Sequence, residues 1–172
     1  MRTGRSWASA WWKVGRSGEP GSSKWRPGPV FMGEYLHSLD EKGRITVPAK
    51  FRDPLGGHCV VTRGLDQCLF LYPPSEWANV EQKLRQLPMT QADARAFVRF
   101  FFSGATDLEL DKQGRIMIPP ALREYAGLTR DVVVIGVSTR IEIWAKEVWE
   151  KYVSQAAASF EAIAEKIVDL GI

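Results

Sequence analysis

One stretch of this chain occurs twice, and that duplication constrains the fold more than any other feature. Asp40-Glu41-Lys42-Gly43-Arg44-Ile45-Thr46-Val47-Pro48 returns as Asp111-Lys112-Gln113-Gly114-Arg115-Ile116-Met117-Ile118-Pro119, each residue 71 positions beyond its counterpart. Self-similarity at a fixed offset means that one supersecondary unit has been duplicated, so structure and function are read per unit. Apolar pattern is not all that recurs. Asp, Gly, Arg, Ile and Pro hold the same places, and Arg52 returns as Arg123. A repeated core requires only repeated hydrophobicity. A repeated Arg beside a turn points to two equivalent contacts with a repetitive partner, for which DNA is the obvious candidate.

Within the first unit, alternation from Tyr35 to Leu39 predicts a strand, Asp40 to Gly43 supplies turn residues, and Ile45 and Val47 alternate in a return strand. This reads as a β-hairpin with Arg44 just past its tip. Pro48 suits the start of a short helix, Ala49 to Leu55, stopped by Gly56-Gly57, with strands around Cys59–Thr62 and Cys68–Tyr72 beyond it. The second unit repeats the plan: Leu108 and Leu110, the Asp111–Gly114 turn, Ile116 and Ile118, a helix from Pro119-Pro120 to Gly127, and strands at Val132–Ile135 and Ile141–Trp144. Trp77 matches Trp149 at an offset of 72, which places one extra residue in a turn of the second unit. Each unit closes in helix. Ser75 is the expected N-cap of Glu76–Leu87, Thr90 with Asp93 resembles a capping box for a helix through Phe102, and Lys146 to about Val168 has helical spacing throughout. The Phe97, Phe100, Phe101 and Phe102 cluster reads as core or subunit interface.

Residues 1–29 carry six of the 23 basic residues and one of the 20 acidic ones, so the remaining chain has a formal charge of −2. If that part binds a polyanion, it does so through a local patch strengthened by assembly of several copies. The first 29 residues are Gly-, Ser-, Arg- and Pro-rich without apolar periodicity and read as disordered, yet they hold four of the seven tryptophans. No run approaches the length needed to span a bilayer. Cys59 and Cys68 are too few for a disulfide framework and read as half-buried strand cysteines in a reducing compartment.

The chain is poor in catalytic constellations. His37 and His58 have no Cys or carboxylate at metal-ligand spacing, and there is no Walker loop or nucleophile elbow. Asp40 and Asp111 each sit where a β-turn wants Asp, with Gly43 and Gly114 completing the turns, so turn formation is favoured over an acid dyad. Arg44 and Arg115 differ, because a turn has no need of Arg after its Gly. They are solvated charges or ion-pair partners of Asp40 and Asp111, or guanidiniums presented to phosphate or the guanine edge, and their recurrence favours the second. Lys42 and Lys112 flank them as phosphate contacts. Arg52 and Arg123 are placed equally well on the same face or as solvated helix charges.

These motifs resemble the MraZ family of bacterial transcriptional regulators, which carry two tandem SpoVT-AbrB-type domains. The resemblance rests on Gly33, Ser38-Leu39-Asp40, Lys42-Gly43-Arg44-Ile45 and Val47-Pro48, with the second Asp-x-x-x-Arg at Asp111–Arg115, and covers about residues 30–168. It implies an α+β, mainly β fold in which the two units form a swapped-hairpin (double-split) β-barrel with peripheral helices, assembling into a ring-like homo-oligomer. It further implies a repressor on G-rich direct repeats of double-stranded DNA upstream of the division and cell-wall gene cluster, with Arg44 and Arg115 as the contacting arginines. Family members begin near the match to Val30-Phe31-Met32-Gly33, so residues 1–29 are expected to be an extension from a misassigned start. The expected organisation is a first unit at 30–77, a helical connection at 78–104, a second unit at 105–149 and a C-terminal helix at 150–172. No catalytic residue, metal, cofactor, small-molecule substrate or membrane contact is expected, and the location is cytoplasmic and nucleoid-associated. An antitoxin-like interaction module and a hydrolase using the Asp pair are the competing readings.

Overall fold

The computed structural model describes residues 30–167, so expectations for residues 1–29 and for the last five residues lie outside the described part. In chain order the elements are β1 (Phe31–Ser38), β2 (Arg44–Thr46), α1 (Ala49–Leu55), β3 (His58–Arg63), β4 (Leu69–Tyr72), α2 (Pro74–Arg85) and α3 (Ala92–Ser103), followed by β5 (Thr106–Glu109), β6 (Arg115–Met117), α4 (Pro120–Tyr125), β7 (Asp131–Ser138), β8 (Arg140–Ala145) and α5 (Lys146–Lys166). The fold is mainly antiparallel β with helices at its periphery, as the duplicated pattern predicts. Both repeats reproduce strand, turn, strand, short helix and two strands. Gly56 ends α1 in the left-handed region at φ 69°, its N–H reaching the carbonyls of Arg52 and Asp53. The longer helices start without the expected side-chain caps: Pro73 precedes α2 and Gln91 precedes α3, neither giving a capping hydrogen bond.

Strand pairing departs from the local hairpin expected for each repeat. Only Leu39 and Ile45 bridge within the first one. The eight residues of β1 instead pair along β7 of the second unit, from Phe31 opposite Ser138 to Ser38 opposite Asp131. In return β5 of the second unit pairs with β3 of the first. The physical reason is length. A three-residue β2 offers β1 few ladder bonds, whereas β7 matches all eight of its residues. The short strands then pair with each other, Arg44 opposite Met117 and Thr46 opposite Arg115. The result is a six-stranded sheet in the order β1-β7-β8-β4-β3-β5 and a separate two-stranded ribbon, β2-β6. The large sheet is open, with β1 and β5 at its edges, so the expected barrel does not appear as one closed sheet.

Ribbon and sheet share one core. Ile45 and Ile116 come from the ribbon, Val61, Leu71, Val132 and Ile141 from the sheet, and Phe51, Leu55 and Leu122 from the short helices. A second cluster, with Phe70, Tyr72, Phe101 and Trp144 at its centre, lies beneath α2, α3 and α5. Cys59 and Cys68 are fully buried, deeper than the half-buried positions expected of them. Burial pushes the Cys59 thiol up to about 12 and Cys68 upward as well, so neither is a thiolate near neutrality. The Phe cluster divides: Phe101 is buried, while Phe97 and Phe100 stay largely exposed. Because Ile116 is buried beneath the ribbon and its neighbour Met117 is 56% exposed, Ile116→Ala is expected to cost about 2–5 kcal/mol. Met117→Ala is expected to stay within about 0.5 kcal/mol. Urea unfolding of the two variants checks the pair.

Candidate nucleic-acid interface

The two turns are built identically by short-range chemistry. Asp40 Oδ1 accepts the backbone N–H groups of Lys42 (3.0 Å) and Arg44 (2.9 Å), and Asp40 Oδ2 accepts Arg44 Nε at 2.6 Å. Asp111 repeats the set with Gln113 N (2.8 Å), Arg115 N (3.0 Å) and Arg115 Nε (2.8 Å). Each aspartate therefore closes its own turn and fixes the guanidinium that leaves it. Gly43 (φ 76°) and Gly114 (φ 73°) adopt the left-handed backbone that the turn requires before its Arg. Of the open alternatives for Arg44 and Arg115, the ion pair with Asp is present in both copies. It engages Nε in both copies, and in the second Arg115 Nη2 as well at 2.8 Å, and leaves the remaining donors of the guanidinium for other partners.

Ribbon register settles which side chains share a face. Directly opposed residues of an antiparallel pair point the same way, as do residues two apart on one strand. Arg44, Thr46, Arg115 and Met117 therefore lie on one face, and Ile45 and Ile116 on the other, buried one. Two residues of strand rise and one inter-strand step place the Cα atoms of Arg44 and Arg115 roughly 8–9 Å apart at diagonal corners of the ribbon. The equivalent arginines of the two repeats thus belong to a single composite surface and not to two separate tips. Thr46 and Met117 join it, and sequence reasoning missed them. Their signal was alternation from the Arg in each copy, which becomes informative only once the two short strands are known to pair.

Lys42 and Lys112 are exposed on the adjoining turns. Arg52 and Arg123 approach the turns from the short helices. Both are half-buried, and each lies against the turn glycine of the other unit, Arg52 against Gly114 and Arg123 against Gly43. Arg52 Nε donates to the Val47 carbonyl at 2.9 Å. Its charge, after burial itself, also holds His37 below the ordinary imidazole value. His58 is exposed with its Nε2 3.9 Å from Glu109. Asp40 and Asp111 are each engaged by their own Arg on exposed turns. Among the described residues no group of three or more His, Cys, Asp or Glu converges as a metal site would need, and no helix is long and apolar enough to cross a membrane.

Comparison with known proteins places this geometry in context. The family described as "MraZ protein, putative antitoxin-like" matches twice in tandem, over residues 30–100 and 101–170. A protein of Desulforamulus reducens named transcriptional regulator MraZ is 65% identical over 141 residues, covering 82% of this chain and 99% of that relative. Proteins of the same name from Syntrophomonas wolfei and Moorella thermoacetica are 62% and 61% identical over 143 residues, each covering 83% of this chain and 100% of the relative.

The backbone N–H of Arg44, ahead of its guanidinium, holds the Asp40 carboxyl below its ordinary 3.8, and Arg115 does the same for Asp111. A depressed carboxylate pKa contributes order that is complete above the ordinary value and lost as pH falls through the lower folded value. Carboxyl NMR titration is expected to give both residues midpoints below 3.8. Arg44→Ala should raise Asp40 part of the way back, because the backbone donors remain, and leave Asp111 unmoved. A wild-type midpoint at or above the ordinary value would mean that the turn is not closed as described.

Proposed function

The chain belongs to the MraZ family, and on that premise we propose that it is a transcription regulator whose β2–β6 ribbon docks on double-stranded DNA. One observation carries the reading: two equivalent arginines, each oriented by its own aspartate, on one outward face of a two-stranded ribbon. A two-stranded β-ribbon fits the major groove, where Arg pairs in bidentate fashion with O6 and N7 of guanine. Arg44 and Arg115 are the base-reading residues of this proposal. Lys42 and Lys112 on the flanking turns meet phosphates, which position the ribbon without reading sequence. Guanine preference accords with G-rich direct repeats as operators, bound by a repressor at the division and cell-wall gene cluster, in the cytoplasm at the nucleoid.

The same proposal includes the assembly. The ribbon and the large sheet act as the parts of one double-split barrel, supported by their common core. The units run over 30–77 and 105–149, joined by the helical stretch 78–104 and followed by a C-terminal helix from 150. Self-association into a ring is supported by apolar surface that one copy leaves uncovered. Phe97 and Phe100 border a cavity of about 230 Å³ with Leu65 and Tyr125, and Phe160 and Ile163 stand exposed along α5 with Ile167 just past its end. A ring holds several ribbons at once, so repeated sites gain avidity.

Two measurements test this. Replacing Arg44 or Arg115 with Ala is expected to leave stability within about 0.5 kcal/mol, since exposed ion pairs contribute little. Each replacement should remove about 1–3 kcal/mol of specific affinity per contacted site. Lys at either position should keep the salt-dependent part and lose base discrimination. Titration against G-rich repeat and scrambled DNA at two salt concentrations reads both effects, and Ala variants that bind repeat DNA like wild type would sink the proposed site. Light scattering is expected to give a multiple of the 19.4 kDa chain mass; a monomer that still binds repeat DNA fully would contradict the ring.

A further inference from the structure

The placement of Arg52 and Arg123 ties each helix arginine to the turn of the opposite unit. A Cβ on Gly43 would stand 2.6 Å from Arg123 Cζ and 2.8 Å from its Nη1, and one on Gly114 would stand 2.5 Å from Arg52 Cζ. Those separations mean that each arginine side chain fills the space that a Cβ on a glycine of the other unit would need. Backbone bonds cross at the same points. Val47 N–H donates to the Gly114 carbonyl at 2.9 Å, and Ile118 N–H donates to the Gly43 carbonyl at 3.0 Å. On the first side this closes a loop: Val47 gives its N–H to Gly114 and takes Arg52 Nε on its carbonyl, while Arg52 covers Gly114.

From this crossed geometry we infer that Arg52 and Arg123 are positioning residues that lock the turn of the opposite unit, so that Arg52 serves the presentation of Arg115 and Arg123 serves that of Arg44. The turn glycines then answer two demands, a left-handed backbone and a side free of Cβ. The locks are unequal. Arg52 Nε is bonded to Val47, whereas Arg123 Nε is buried without a hydrogen-bond partner and is held by packing alone. The second turn is accordingly held more firmly than the first. The inference concerns the free protein, and its bearing on recognition rests on the DNA reading proposed above.

Hydrogen exchange of the full chain without DNA tests the lock itself. Arg52→Ala is expected to speed exchange of the Val47 amide, whose acceptor is Gly114, by about tenfold or more, with the Ile118 amide unchanged. Arg123→Ala should do the reverse, with a smaller effect. The Val134 amide, inside the large sheet, reports global stability; if it accelerates equally, Arg52 supports the whole fold and the local lock is wrong. Unchanged exchange at Val47 would also overturn it. DNA titration adds the crossed signature: Arg52→Ala should add no further loss to Arg115→Ala but should add to Arg44→Ala. Arg52→Lys should behave like the Ala variant, because it lacks the planar guanidinium that covers Gly114. A variant with normal exchange that weakens all sequences alike, with one phosphate contact fewer in its salt slope, would make Arg52 a direct contact instead. Should Arg44→Ala and Arg115→Ala leave DNA binding intact, the DNA reading fails while the exchange measurements still decide the lock.

Discussion

The rest of the structure depends on backbone hydrogen bonds that each unit can make only with the other. Val47 donates to Gly114 and Ile118 to Gly43, and between these bonds β2 and β6 form a ribbon three residues long on each side. A three-residue strand alone leaves its polar backbone groups without partners and its one apolar residue half covered. Paired, the two strands bury Ile45 and Ile116 side by side over a core that also takes Phe51 and Leu122 from the helices that follow. Exchange of β1 onto β7 and β5 onto β3 extends the same dependence to the large sheet. Duplication is therefore structural before it is functional: one copy of the motif has no ribbon, and without the ribbon the paired arginines have no common face.

Within that frame the Asp–Arg pairs are organising devices more than sources of stability. Both lie near the surface, with Arg44 and Arg115 about a quarter exposed and their aspartates somewhat more, where an ion pair contributes little to folding. Their value is geometric. Asp has the reach to take two backbone donors on one oxygen and its Arg on the other, so the turn and the guanidinium are fixed by one carboxylate. An Arg already held in one orientation loses less conformational freedom when it meets a partner, which lowers the cost of binding.

The sequence made the units, turns and helices legible because each is a local matter of period, turn chemistry and breaker residues. It did not disclose which strands pair. Alternation tells which side chains share a face but not which neighbour lies alongside, and the Asp40–Gly43 turn is equally compatible with a full hairpin and with a turn that sends its strands to different sheets. The role of Arg52 and Arg123 was hidden for the same reason. At the end of a short helix an Arg reads equally as part of the arginine face or as a solvated charge, and only the crossing of the units brings it onto a glycine 62 or 80 residues away. Phe97 and Phe101 could not be told apart by composition, since both suit a helix face and only the position of the sheet beneath decides which is covered.

If the ribbon meets DNA as proposed, charge gives a reason for the site to be used in multiples. From residue 30 onward the chain carries a formal charge of −2 despite its basic ribbon, so the body does not attract a polyanion at long range. Four basic side chains, two on the ribbon and two on its turns, would give a salt slope of only about −3.6 if all four met phosphate, and less if two read bases. A single copy is then a poor non-specific binder. On the proposed reading that weakness would serve selectivity, because affinity for random DNA would stay low while simultaneous engagement of repeated sites would multiply the specific term. A ribbon locked from both units would suit the proposed assembly, since avidity requires each copy to present the same arginine spacing, and spacing that drifted with a loose turn would put successive ribbons out of register with repeated sites.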